Sequence, residues 1–416
     1  MHMKRAANIW ALGTIAVLVG CSGAADQGHA FQRHTVADTL VASSTGGPKF
    51  DGDLFGYERV AVLQQDPERP ESLMYEDIRF LRTQKGFCRG PDGHFYVGDS
   101  GGGRIAVFDP EGRYLRSMGG RGEGPGEFGF MELYDLTGDV LTTLDHSLHR
   151  TTRYRTNGAL VDVLPGRMPW ESDDVVLSLG GPSHYDVEGY LWMAAGFAAR
   201  TRDGELLGEA RTREINILYA FLTPGHGKGG QSRPPMPFVA RPFAQPMPDG
   251  GVVLTDTVEP VLWWYRLDGS VRLKIDLGIP RRRISEQDIR GFHEDLDARL
   301  AAAEGLDREI LSLERAAVPF PEHGSLWNHL SVDDRGHIWL EAHELEFERA
   351  DRGGGCTYYV ISPEGEFLGT TRAPAMGRVM GGHLMGESTD PATGAVTYSA
   401  WRLLPQPPGF DYTPVP

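Results

Sequence analysis

The fold is decided by one stretch: Pro91-Asp92-Gly93 leads into His94-Phe95-Tyr96-Val97, then Arg104-Ile105-Ala106-Val107-Phe108-Asp109, then Glu111-Gly112 and Arg113-Tyr114-Leu115. The acid-Gly pairs supply the positive φ of a tight turn at little cost, and the β-branched and aromatic runs between them form strands with one buried face. Such a stretch is a meander. It recurs at Asp249-Gly250-Gly251 with Leu262-Trp263-Trp264-Tyr265 and Asp268-Gly269, and at Asp333 to Gly336 with His337-Ile338-Trp339-Leu340, Tyr358 to Ile361 and Glu364-Gly365. Weaker copies centre on Gly138, Gly189 and Gly394. The intervals between Gly93, Gly138, Gly189, Gly251, Gly336 and Gly394 are 45, 51, 62, 85 and 58 residues.

About 45 residues is the length of a four-stranded blade, and a lone blade cannot bury its apolar face. Six copies closing radially remove the exposed edges that an open array would leave. The 85-residue interval contains a helical signal over 285–316. Ser285 and Asp288 form a capping pair, Ile289, Phe292, Leu296 and Leu300 fall at helical spacing, and Gly305 separates a second helix through Ile310 and Leu313. Removing that insertion restores the interval to the series. Only one good strand, Ala395 to Trp401, follows Gly394, so the runs His34–Val41 and Arg59–Leu63 are expected to complete the last blade. The fold class is therefore all-β: a six-bladed β-propeller over 34–404, with a small helical insertion and N-terminal strands closing the ring.

The segment Met118-Gly119-Gly120-Arg121-Gly122-Glu123-Gly124-Pro125-Gly126-Glu127-Phe128, preceded by Arg104 to Asp109 and Gly112, resembles the six-bladed β-propeller lipoproteins related to NHL-repeat proteins. The helical insertion, followed by Pro321 before Leu330 to Asp333 and Gly336 to Trp339, also fits that group. A phosphate loop is disfavoured for 119–126, because Pro125 stands where a helix should begin. An inter-blade connector is the expectation.

The N-terminus carries an address. Lys4 and Arg5 precede the apolar run Ile9–Gly20, and Leu18-Val19-Gly20-Cys21 resembles the lipobox of bacterial lipoprotein precursors. Residues 1–20 read as the signal peptide, Cys21 as the lipidated residue, 21–33 as a tether and 405–416 as a C-terminal tail. The apolar run is too short for a bilayer span of roughly 20 residues. Ser22 follows the cysteine, and the absence of Asp there weakly favours the outer over the inner membrane of a Gram-negative host, on its periplasmic or surface face.

Composition bounds the partners. With 57 Asp plus Glu against 41 Lys plus Arg, the formal charge is −16, and loss of residues 1–20 makes it −18. Backbone phosphates select a basic face, so nucleic acid is excluded as a ligand. The 54 Gly and 28 Pro favour tight turns over long helices. Cys88 and Cys356 fall in non-adjacent units and are expected as buried thiols.

No Gly-x-Ser-x-Gly elbow, His-Glu-x-x-His helix or paired-Cys motif occurs, so no catalytic residue is assigned. Asp99, Asp145 and Asp256 end second strands and are expected to cap the following loops. Trp263, Trp264 and Tyr265 are read as strand packing. His184, His329 and His383 precede Gly189, Gly336 and Gly394, where innermost strands should lie, and three such histidines could hold one divalent metal on the propeller axis. Some NHL-type lyases use such a constellation, and the resemblance to them is architectural. Two functional readings follow: a lipid-anchored, monomeric cell-envelope module that binds a protein or small ligand, or a metal-dependent hydrolase or lyase at the central channel.

Overall fold

A computed structural model of the chain describes residues 28–412 apart from 64–85, 101, 166–169, 172–174, 180–182, 186–190, 202, 204, 219–220, 224–229, 233, 249, 344–354 and 390–395. Six four-stranded antiparallel meanders follow one another along it. Blades 1 to 5 span 87–118, 131–165, 170–211, 243–276 and 327–373. Blade 6 takes three strands from 376–405 and its outermost strand, Phe55–Val62, from the other end of the chain, paired antiparallel with Val396–Pro405. The first strands of neighbouring blades approach one another around the ring, so they are innermost. The chain is a six-bladed β-propeller.

The turn glycines explain how the blades stack. Gly112, Gly269 and Gly365, at φ +83°, +80° and +90°, occupy third-to-fourth turns where an L side chain is strained. Each also lies flat against the preceding blade's outer layer: Gly112 on the Val62 backbone, Gly269 on Glu209, and Gly365 on Leu273, Ile275 and Ala42. One residue type thus serves turn conformation and blade packing together.

Between blades the core is aliphatic and aromatic. Blades 4 and 5 enclose Leu262, Ile275, Trp327, Leu340 and Phe367, and blades 6 and 1 enclose Phe87, Phe95, Ala106, Met385 and Ala400. Trp263 and Trp264 sit in the third strand of blade 4, where Lys274 and Arg272 lie over their rings at 5.4 and 4.2 Å. They are packing residues, as their alternation indicates. Cys88 and Cys356 are buried in blades 1 and 5 and are not joined in a disulfide.

Three boundaries differ from the sequence reading. The run around His34–Val41 forms a hairpin, Ala30–Val36 with Thr39–Thr45, whose second strand pairs in parallel with Val271–Asp276 at the rim of blade 4 rather than with blade 6. Strand structure accordingly begins at Ala30, inside the span 21–33 expected as a tether. Residues 49–54 then bond to Phe367, Leu368 and Thr370 of blade 5, so the N-terminal segment crosses the outer strands of blades 4, 5 and 6 in turn. The third difference is at the C-terminus, where Phe410 and Tyr412, in the span read as a C-terminal tail, are buried with Phe55 and Trp339. Isolated strand runs do not reveal which edge they will join, since every propeller rim offers the same backbone ladder. Among the described residues no helix is long and apolar enough to cross a membrane.

Candidate functional site

In each blade the strands alternate in direction, so the second-to-third loops and the blade-to-blade connectors share one end, the connector face. The first-to-second and third-to-fourth turns share the other, the turn face. Among the described residues, long excursions leave the ring from the connector face in three places: 183–185 with 191–195 within blade 3, the described parts of 212–242 between blades 3 and 4, and 277–326 between blades 4 and 5.

These excursions build on one another. Ile215–Leu218 adds to the inserted hairpin of Ser183–Tyr185 and Leu191–Met193, making a small three-stranded sheet. Met236 N–H then bonds to the Ile217 carbonyl at 2.8 Å, and Ser325 N–H to the Phe238 carbonyl at 2.7 Å. Helices α1 (Glu286–Ala302) and α2 (Gly305–Ala317) cover this segment. The Ser285 and Asp288 capping box starts α1, as its sequence requires. Phe292 of α1 meets Phe238 at 6.0 Å and Phe320 at 5.7 Å between ring centroids, while Ile310 and Leu313 of α2 pack on Met236. Glu286, Arg290, Glu294 and Arg299 remain exposed. The helices therefore rest on the 236–239 segment and form the outer part of a cap on the connector face.

The junction between cap and ring is strained and buried. Phe238 and Thr257 have φ of +63° and +71°, values that branched and bulky residues avoid. Thr257 is held there by its own N–H to Thr255 Oγ1 at 3.0 Å and by a 2.8 Å contact with Ser325 Oγ, whose oxygen also accepts the Ala240 N–H at 2.8 Å. Gly324 is required beside it, since a Cβ there would stand 2.9 Å from the Phe238 carbonyl oxygen. Strain of this kind persists only where surrounding bonds over-determine it, and it concentrates at binding and switching sites.

Charge completes the rim. Arg213 bridges Asp256 at 2.6 Å and Glu259 at 3.0 Å, and Arg281 reaches the same Glu259 at 2.7 Å. Asp256 itself caps its loop by accepting the N–H groups of Val258 and Glu259. Asp99 and Asp145 play the equivalent part in blades 1 and 2, toward Gly102 and toward Ser147 and Leu148. The expectation of structural aspartates holds. Burial opposes the charge on Asp145, yet the N–H donors of Leu148 and Gly129 hold its carboxyl below the ordinary range. The Gly119–Gly126 segment is a connector between blades 1 and 2, held by Arg150 through the carbonyls of Glu123, Gly124 and Glu127.

The three candidate metal ligands lie apart. His184 is on the inserted hairpin, exposed and 3.7 Å from Glu214. His329 is on the innermost strand of blade 5, edge-on to Phe243 at 5.1 Å. His383 is on the second strand of blade 6, near the turn face, with Nδ1 donating to the Gly381 carbonyl at 2.8 Å. Only His329 occupies the innermost position that the sequence suggested for all three. Blade 3 explains the misplacement of His184, because its second-to-third loop has grown a hairpin that mimics a blade. Gly189 and Gly394, used as reference points, fall outside the described residues. Among the described residues no three His, Cys, Asp or Glu side chains form a group that could hold a metal.

Sequence reasoning missed Phe238, Thr257 and Ser325. The available signal was the proline run Pro234-Pro235-Met236-Pro237, which marks an ordered but non-repetitive segment.

A family model described as a 6-bladed beta-propeller, DUF5128, matches residues 88–223. Among solved structures, a DUF4221-family protein of Bacteroides vulgatus is 12% identical, with 85% of this chain and 98% of that chain covered at a TM-score of 0.44. A candidate exported protein of Bacteroides fragilis is 8% identical, covering 88% and 100% at 0.42. Virginiamycin B lyase of Staphylococcus aureus is 12% identical, covering 70% of each chain at 0.28. No curated protein matches the chain.

Proposed function

We propose that the protein is an exported, lipid-anchored propeller that binds an envelope protein or a small ligand through the cap on its connector face. The observation that carries this reading is the convergence of three separate excursions onto one side of one face, joined through the strained Phe238–Thr257 junction. A rigid ring supplies position and the excursions supply a surface of their own, which is the usual division of labour between scaffold and loops. The N-terminal sequence supports export and acylation at Cys21, with attachment to the outer membrane through the lipid. Each buried methylene would contribute about 0.8 kcal/mol to that attachment. A hydrolase or lyase at the channel would need ligands converging on the axis, and the histidines do not converge.

The test replaces 285–316 by a short Gly/Ser linker in the mature domain. The expected outcome is a propeller that melts cooperatively but no longer retains, from an envelope extract, the component captured by the intact domain. Capture of the same component by the folded variant would end the binding role of the cap. Stoichiometric zinc, calcium or iron in protein purified without chelator, lost in His329→Ala, would instead establish the channel enzyme.

A further inference from the structure

On the turn face, at the seam where blade 6 meets blade 1, positive charge collects in an otherwise acidic chain. Arg89 ends the innermost strand of blade 1. Its guanidinium lies between two turns across the seam: Nη2 is 3.5 Å from where a Cβ would stand on Gly93, and Nη1 is 3.9 Å from the same point on Gly381. His383 and Arg402 are directly opposed in the register of blade 6, so both project from one side of that sheet toward the same seam. Burial first, and then the charge of Arg402, pull the Arg89 pKa below its ordinary value. Burial, joined by Arg89 and Arg402, does the same to His383 despite the Gly381 carbonyl.

The surrounding acids are bonded mainly to other groups, although the Asp92 carboxylate also acts on Arg89 and partly offsets the lowering of its pKa. Asp92 accepts from the Tyr96 hydroxyl at 2.6 Å and pairs with His94 at 3.0 Å. Glu58 takes Arg402 Nη1 at 3.3 Å, and Asp334 accepts the Gly381 N–H at 3.0 Å. Arg378, on the adjoining strand, points Nη1 toward Cys88 Sγ at 4.0 Å. Arg89, by contrast, makes no hydrogen bond to any described residue, although a guanidinium carries five N–H donors in a fork that fits an oxyanion.

We propose that Arg89, His383 and Arg402 form a second site, on the face opposite the cap, for the carboxylate or phosphate group of a small ligand. Arg89 supplies the fork and Arg402 a flanking charge. His383 adds a condition. A carbonyl only accepts, so Nδ1 carries the hydrogen and Nε2 of the neutral ring is a lone pair, which repels an anion. Nε2 becomes a donor when it takes a proton from water, and the bound anion offsets the two guanidinium charges that otherwise oppose that protonation. Anion binding and proton uptake at His383 are therefore coupled, and affinity rises as pH falls through the His383 titration.

Calorimetry on the mature chain tests this with sulfate, which stays dianionic and stands for phosphate, and with acetate, which stands for carboxylate. One equivalent of at least one of them is expected to bind at pH 5.5, about tenfold more tightly than at pH 8. The better probe identifies the ligand group. R89Q should lose about tenfold or more at pH 5.5 with little change in Tm, since Arg89 makes no hydrogen bond to a described residue. H383Q should keep the weak binding and lose its pH dependence. Should R89Q fail to fold, R402Q provides the same readout. No saturable binding of either anion at pH 5.5, or binding indifferent to both arginine substitutions, overturns the site. Replacement of 285–316 should leave anion binding intact, which separates this site from the cap.

Discussion

The Tyr412 hydroxyl donates to Asp333 Oδ2 at 2.7 Å, fastening the end of the described chain to the first turn of blade 5. Asp333 is already the hub of that turn, accepting the N–H groups of Arg335 at 2.9 Å and His337 at 2.8 Å and the Trp339 indole at 3.0 Å. Blades 5 and 6 are thereby joined by the chain that has just completed blade 6, and Phe410 and Tyr412 fill the gap against Phe55.

Burial opposes the charge on Asp333, but the donors His337, Trp339 and Tyr412 prevail and hold its carboxyl below the ordinary range. A native pKa below the unfolded one, about 3.9 for Asp, gives stability that is complete above the unfolded value and lost as pH falls toward the native one. Tyr412→Phe should therefore destabilise the domain by about 1–3 kcal/mol at pH 7. It should also blunt the acid-induced fall in Tm below pH 4, as read by thermal melts across pH 3–7. A variant whose melting matches wild type at every pH would show that the tail is a passenger.

Gly365→Ala combines a positive φ with a Cβ 2.9 Å from Ala42 Cβ, whereas Gly138, at φ +57°, has nothing within 4 Å of the same position. The Gly138→Ala cost is conformational alone, roughly 1–2 kcal/mol. Gly365→Ala should exceed it clearly, because the turn must also part from the rim of blade 4. Equal midpoint shifts in urea for the two variants would mean that blade stacking tolerates the extra atom.

Deleting residues 30–62 removes the outer strand of blade 6 and the N-terminal segment across blades 4 and 5, exposing Trp401, Leu403 and Leu384 of the blade 6 core. Open edges and an uncovered apolar layer favour association, so the truncated domain should elute as aggregates and melt without a cooperative transition. Monomeric elution with a wild-type melt would refute the closure of the ring through Phe55–Val62.

If the proposed acylation of Cys21 anchors the protein, Cys21→Ala should abolish lipid labelling and shift the protein from the membrane to the soluble envelope fraction. Retention in membranes after a carbonate wash would require another attachment.

The repeat was legible because its signals are local. Acid-Gly turns fix where a strand reverses, alternation fixes which face is buried, and Ser285 with Asp288 fixes where α1 begins, all within a few residues of chain. The loop-capping roles of Asp99, Asp145 and Asp256 were legible for the same reason. Which rim the hairpin 30–45 joins, that Phe410 and Tyr412 are core, and that Phe238, Thr257 and Ser325 meet are outcomes of tertiary structure alone. So is the Arg89, His383 and Arg402 cluster, whose members are nearly 300 residues apart at their closest approach across the seam. Backbone ladders are chemically alike at every edge, and burial and charge proximity arise only when the ring closes. Sequence therefore determined the blades, while ring closure decided what stands beside what.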